Sequence, residues 1–197
     1  MLDVNHFGTR IDNSVKQLLN YYWFEDGFNP EECNKIIKVA KKYPQTIGST
    51  FSDSQNENQY RKSNVRWIEL EESSYWIYEK LMHMAIEANK VFSLDITGFT
   101  ENLQFTEYEG AGSKYDYHMD IGNGNWHRKL SIVVQLTNPN SYTGGELFLS
   151  TGGNKIHCPN KWGAVIVFPS ILQHEVIPIQ SGNRYSLVSW ISGSPWR

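Results

Sequence analysis

Cysteine is scarce in this 197-residue chain: Cys33 and Cys158 are the only two, too few and too far apart to form a disulfide framework. The longest apolar run near the residues that carry chemistry, Ala164 to Phe168, falls far short of the roughly 20 residues a membrane span requires. The opening Met1-Leu2-Asp3-Val4-Asn5-His6 lacks the basic and apolar regions of a signal peptide. These absences predict a soluble protein in a reducing, cytoplasmic setting with no membrane partner. Basic excess is missing too: 18 Lys and Arg against 21 Asp and Glu leave a net charge of −3 and a pI near 6.1, which disfavours nucleic acid as a partner. What is present, 40% hydrophobic and 14% aromatic residues, is enough to bury the core of one domain. We therefore expect a single domain over residues 1–197, with N-terminal helical support over about 1–100 and a β-rich barrel over about 101–197.

Two helices are predicted in the first half. Asn29 is placed to cap one whose first turn is Pro30-Glu31-Glu32, with Cys33, Ile36, Ile37 and Ala40 as its buried stripe and Pro44 beyond its end. A second runs from near Ser74 to about Lys90, with Ile77, Leu81, Met84, Ala85 and Ala88 at helical spacing. The polar segment from Phe51 to Ser63 between them has no periodicity and is expected to be a loop, as is Gly122 to His127. From about Asn102 onward, short apolar or alternating segments are punctuated by glycine, asparagine and proline. Strands are predicted at Leu103 to Tyr108, Tyr115 to Asp120, Leu130 to Leu136, Glu146 to Leu149, Ala164 to Phe168, His174 to Ile179 and Arg184 to Ile191. The expected fold class is α+β, mainly β: a jelly roll (double-stranded β-helix) core with the N-terminal helices packed outside.

The chemistry concentrates in four residues. Alternate residues of a strand share a face, so His118 and Asp120 can present an imidazole and a carboxylate to one point. His174, at the start of a later strand, can return a second imidazole, completing a set of two histidines and one carboxylate on one face of an octahedron. Non-haem Fe(II) oxygenases use that arrangement because it leaves the opposite positions open. Arg184 follows ten residues after His174 and shares a strand face with Ser186, so that a guanidinium fork and a hydroxyl can clamp a carboxylate. His83, His127, His157 and Cys158 are expected to be structural or surface residues, His157 and Cys158 in a turn before Pro159, and Gly144-Gly145 to shape a turn or bulge.

Five blocks stand in the order of a known family. They are Tyr108-Glu109-Gly110 ahead of Tyr115-Asp116-Tyr117-His118-Met119-Asp120; Leu130-Ser131; Tyr142-Thr143-Gly144-Gly145-Glu146-Leu147; His174-Glu175-Val176-Ile177-Pro178; and Gly182-Asn183-Arg184-Tyr185-Ser186. The segment from Tyr108 to Trp190 resembles the 2-oxoglutarate and Fe(II)-dependent dioxygenases of the prolyl 4-hydroxylase superfamily, especially the PKHD-type hydroxylases of bacteria and phages. The N-terminal run from Trp23 to Cys33 resembles the family's opening strand and helix less specifically.

The resemblance implies that His118, Asp120 and His174 hold the metal and that Arg184 pairs with the distal carboxylate of 2-oxoglutarate, with Ser186 and the Tyr108 phenol assisting. Gln135 stands where some relatives carry a tyrosine and is a further candidate contact to the co-substrate. Fe(II), 2-oxoglutarate and dioxygen are the implied cofactors and co-substrates, with ascorbate as an optional addition. Trp67, Tyr117 and Trp126 are candidate substrate contacts at the mouth of the barrel. The implied reaction is hydroxylation of an unactivated C–H bond, with peptidyl proline as the first expected substrate. The presence of Asp120 speaks for hydroxylation over halogenation, which needs that position vacated for halide. Two alternatives stand beside this reading: the same chemistry on a small molecule or an alkylated base, and a non-catalytic jelly-roll binding module.

Overall fold

The computed structural model describes residues 21–48, 60–122 and 124–194. Helix α1 (Pro30–Ala40) starts where local chemistry dictates. The Asn29 side chain accepts from the Glu32 N–H at 2.9 Å, and the Glu32 carboxylate accepts from the Asn29 N–H at 2.8 Å, a capping box with proline in the first turn. Its buried stripe is Cys33, Ile36, Val39 and Ala40; Val39 takes the place expected for Ile37, which is only partly buried. Helix α2 (Tyr75–Phe92) buries Ile77, Tyr78, Leu81, Met84, Ala85 and Ala88, and ends on Ser93 in the left-handed conformation. Among the described residues, no helix is long and apolar enough to cross a membrane.

The strands, in chain order, are β1 (Tyr22–Phe24), β2 (Thr46–Ile47), β3 (Arg61–Lys62), β4 (Asn64–Ile68), β5 (Leu103–Glu109), β6 (Lys114–His118), β7 (Arg128–Gln135), β8 (Thr143–Gly144), β9 (Leu147–Thr151), β10 (Asn154–His157), β11 (Val165–Pro169), β12 (Gln173–Val176), β13 (Ile179–Ser181) and β14 (Asn183–Ser192). They form a seven-stranded sheet, β1-β11-β7-β14-β5-β4-β2, and a five-stranded sheet, β10-β9-β12-β6-β3, with β13-β8 as a separate pair. Every pairing is antiparallel. The architecture is the expected mainly-β jelly roll, with two sheets that do not close into one barrel.

Strand alternation separates core from site. On β7, Leu130, Ile132 and Val134 join the cluster formed with α1 and α2, whereas Val133 belongs to the second cluster, between the sheets. On β14, Leu187 and Ile191 pack into the helix-side core, while Arg184, Ser186, Val188 and Trp190 line a cavity on the other face. Both faces of the large sheet are covered, which is why β7 is buried at every residue.

The structure corrects four expectations. Strand β6 stops at His118, so Asp120 lies just past it, and its N–H donates to the Ser170 carbonyl at 3.2 Å instead of continuing a ladder. The strand expected over His174 to Ile179 divides into β12 and β13 around Pro178, which has no N–H to give a ladder. His157 is the last residue of β10, paired with Phe148, and not part of a turn. The first hundred residues supply sheet as well as helix: β1 extends the large sheet beside β11, and β4 extends it beside β5. Gly144 and Gly145 both adopt positive φ, and a Cβ on Gly144 would sit 2.3 Å from the Pro178 carbonyl, so the β8 and β13 backbones meet through a residue without a side chain.

Candidate active site

His118 and His174 are direct cross-strand partners on β6 and β12, with ring centroids 4.1 Å apart. Asp120 reaches them from the turn beyond β6. Its Oδ1 lies 3.7 Å from His118 Nε2 and its Oδ2 lies 3.5 Å from His174 Nε2. One donor atom from each of the three residues lies within 4.8 Å of the other two. That spacing leaves a gap suited to a cation. The ring orientations agree with it, because each Nδ1 faces a backbone carbonyl: Asp116 O at 2.8 Å for His118 and Leu172 O at 3.1 Å for His174. An Nδ1–H donating to those carbonyls leaves Nε2 with a lone pair turned toward the gap.

The protonation states match as well. Burial, and then the neighbouring His174 imidazole, push His118 down to about 3, so it is neutral and able to ligate near pH 7. Burial works against ionisation of Asp120, but the two imidazoles and the Ser131 hydroxyl outweigh it and hold the carboxyl below its usual range. The donor set, two imidazoles and a carboxylate, fits a divalent transition metal.

These residues line a cavity of ≈ 820 Å³ that also contains Tyr108, Arg184 and Ser186 from the large sheet, and Trp67 and Tyr117. Arg184 is 1% exposed. Its Nη2 donates to Gln135 Oε1 at 2.8 Å, while Nε and Nη1 are buried with no hydrogen-bond partner among the described residues. A buried guanidinium with open donors demands an anion. Tyr108 lies beneath it, with the guanidinium carbon 5.2 Å from the ring centroid, and burial raises the phenol above its ordinary value, so the hydroxyl keeps its proton.

Two expected site residues fall elsewhere. Gln135 is outside the cavity lining, with both ends of its amide engaged: Oε1 by Arg184 and Nε2 by the Pro159 carbonyl at 3.3 Å. Its Oε1 holds the arginine at Nη2. Trp126 is more than half exposed and also outside the lining. Of the two expected loops, 51–59 and Asn123 lie outside the described residues, and the end of the first is not loop: Arg61–Lys62 is β3, paired with β6. His127 is 3.3 Å from Glu101 and outside the cavity lining, and His83 lines a separate surface hollow beside α2.

Sequence reasoning missed several neighbours. Tyr115 stacks on His118 at 3.5 Å between centroids, and Arg61 lies over the other partner of that stack, 4.4 Å from the Tyr115 ring. Arg128 is paired with Glu101, donates to the Asp120 carbonyl at 3.0 Å and covers the Trp190 ring. Ser131 donates to Asp120 Oδ2 at 2.6 Å. Tyr115 and Ser131 stood in the family blocks without a role; nothing local in the sequence marks Arg61 or Arg128.

Residues 103–192 match the 2OG-Fe(II) oxygenase superfamily. A PKHD-type hydroxylase of Rippkaea orientalis is 30% identical over 172 residues, covering 81% of this chain and 72% of the relative. One from Gloeothece citriformis is 29% identical over 140 residues, 68% of this chain and 59% of the relative. Against another, from Synechococcus, identity is 39% over 85 residues, 41% of this chain and 37% of the relative. In fold, the chain is similar to a Pseudomonas putida prolyl-4-hydroxylase, with TM-score 0.69 and 18% identity over 89% of this chain and 93% of that one. It is also similar to a Trichoplax adhaerens prolyl hydroxylase solved with a hypoxia inducible factor peptide fragment, with TM-score 0.74 and 17% identity over 88% of this chain and 84% of that one.

Proposed function

This chain belongs to the 2-oxoglutarate and Fe(II)-dependent oxygenases of the prolyl 4-hydroxylase superfamily, and on that premise we propose that it hydroxylates an unactivated C–H bond of a peptide, at proline. The observation that carries the reading is Arg184, a buried cation with two open donors, lining the same cavity as the His118-Asp120-His174 cluster. A metal site and an anion site in one cavity suit a dicarboxylate that bridges them.

In this reading His118, Asp120 and His174 hold Fe(II), and Arg184 pairs with the distal carboxylate of 2-oxoglutarate, with Tyr108 and Ser186 as hydroxyl partners. Gln135 holds the guanidinium in place through Nη2. When bound, iron and 2-oxoglutarate supply the oxidising power: dioxygen is consumed, the keto acid is decarboxylated to succinate, and one oxygen atom passes to the substrate carbon. The chain's own work is binding, orientation and exclusion of water. Val133, Leu147, Val176 and Val188 give the cavity apolar walls, which strengthens the pairing of Arg184 with its anion.

A peptide substrate is supported by the cavity mouth, where Tyr60, Trp67, Tyr117 and Met119 are exposed apolar side chains able to contact a proline ring and an extended chain. The Trichoplax relative in fold was solved with a peptide fragment. The whole chain would then serve this one site as a single domain.

Two measurements test the proposal. Anaerobic addition of Fe(II) and 2-oxoglutarate should produce the weak visible charge-transfer band of the chelate. Incubation with dioxygen and a proline-rich peptide library should then add one oxygen atom to proline, matched by succinate. No band would remove the oxygenase reading; coupled turnover with free small molecules and with no peptide would replace the peptide.

A further inference from the structure

The two carboxylate oxygens of Asp120 face different partners, and a pair of hydroxyls holds one of them. Ser131 on β7 and Ser170, in the turn after β11, are fully buried, and neither lines the cavity. Ser131 Oγ lies 2.6 Å from Asp120 Oδ2 and 2.9 Å from Ser170 Oγ. A hydroxyl has one hydrogen and a carboxylate only accepts, so Ser131 donates to Asp120 and the Ser170 hydroxyl donates to Ser131. The Asp120 backbone is held at the same place: its N–H donates to the Ser170 carbonyl at 3.2 Å, and its carbonyl accepts from Arg128 Nη1 at 3.0 Å. Each oxygen has a triad imidazole nearby, His118 Nε2 at 3.7 Å from Oδ1 and His174 Nε2 at 3.5 Å from Oδ2, but only Oδ2 accepts from a hydroxyl.

We infer that the Ser170–Ser131 hydroxyl relay is a positioning device that commits Oδ2 of Asp120 to the protein and leaves Oδ1 as its single metal donor, an inference that rests on the metal reading above. A carboxylate bound through both oxygens takes two coordination positions; bound through one it takes one, and the facial set keeps its open positions. The relay also ties two ligands together, because Ser170 belongs to the turn that leads into β12 and His174. Ser131 and Ser170 are positioning residues, acting on the metal only through Asp120.

Co(II) is the probe, because its d–d absorption reports coordination number directly. It would be titrated into the full chain and into Ser131→Ala, Ser131→Thr, Ser189→Ala and Asp120→Ala, with affinity from calorimetry and the metal-free melting temperature alongside. Ser131→Ala should weaken Co(II) binding by roughly 10- to 100-fold and shift the band toward higher coordination number and lower intensity, as loss of an outer-shell partner does. Ser131→Thr, which keeps the hydroxyl, should restore both. Ser189→Ala, a buried serine on the adjacent β14 whose Oγ has no partner among the described residues, should match wild type. A lowered melting temperature with unchanged spectrum and affinity in Ser131→Ala would make the bond merely structural and overturn the inference. Retained binding in Asp120→Ala would instead overturn the metal reading beneath it. Should Ser131→Ala not fold, Ser170→Ala answers the same question: a smaller change in the same direction supports the relay, and wild-type values overturn it.

Discussion

Arg184 shows how one residue's burial becomes a measurable expectation. Its guanidinium sits at the inner face of β14 with one nitrogen held by Gln135 and two left open, so truncation removes a buried cation whose open donors call for an anion. Arg184→Ala should cost about 2–5 kcal/mol of 2-oxoglutarate affinity, by analogy with truncated buried charge pairs, while Fe(II) binding is retained. Gln135→Leu should cost less, on the order of 1.5 kcal/mol, because it frees the fork without removing it. Calorimetry of the two variants ranks them, and equal losses would make Gln135 a direct contact of the co-substrate. His118, Asp120, His174 and Arg184 were picked out by residue type and order along the chain, and they line one cavity; the strand period used for Asp120 ended at His118, the last residue of β6. Gln135's contact with Arg184, and the roles of Ser131 and Arg128, were not legible. Those roles are defined by partners on other strands, as Ser131 is by Asp120 and Ser170, and no local pattern encodes a cross-sheet neighbour.

At the scale of elements, the first helix was readable from its cap because a capping box is local chemistry: four consecutive residues contain both halves of it. The same box predicts how stability responds to mutation and to pH. Asn29→Ala should cost about 0.5–2 kcal/mol, measured by urea unfolding. Glu32 is partly desolvated, which alone would raise it, but Lys80 and the Asn29 N–H hold its carboxyl below the ordinary value. A carboxyl lowered in the folded state contributes stability that is present above its unfolded value, and that contribution is lost as pH falls through the folded one. Unfolding curves taken from pH 6 down to pH 3 should therefore show a loss in wild type that is shallower in Glu32→Gln; identical slopes would exclude Glu32 as a contributor. Longer elements with apolar alternation, β5, β7, β11 and β14, were likewise visible in advance. The two-residue strands β2, β3 and β8 were not, since pairs of residues carry no period, and their pairing is imposed by the longer neighbours β4, β6 and β13.

Across the whole molecule, the matched segment 103–192 is not a self-sufficient core. Helix α2 lies against β1, β11 and β7, and α1 against β4, so that Ile36, Ile77, Leu81 and Ala85 share one buried cluster with Leu130, Ile132, Val167 and Leu187. The N-terminal segment is also clasped at Phe28, whose N–H donates to the Gly163 carbonyl at 2.9 Å. A Cβ on Gly163 would meet the Phe28 carbonyl at 1.7 Å, so the backbones touch where no side chain can stand. A fragment cut to 101–197 would thus expose the helix-side face of β7, β11 and β14 while losing β1 and β4 from the sheet. Each buried aliphatic side chain returned to water costs about 1.5–3 kcal/mol, and several such losses exceed the roughly 5–15 kcal/mol that holds a whole domain together. The fragment should bind a hydrophobic dye and show no cooperative thermal transition, whereas the full chain should show one. It should also fail to bind Co(II) with the full chain's affinity, although it contains His118, Asp120, His174, Ser131 and Ser170. A cooperative fragment with intact metal affinity would mean that the helices shield the sheet without holding the site, and that the ligand geometry is set by β6, β7 and β12 alone.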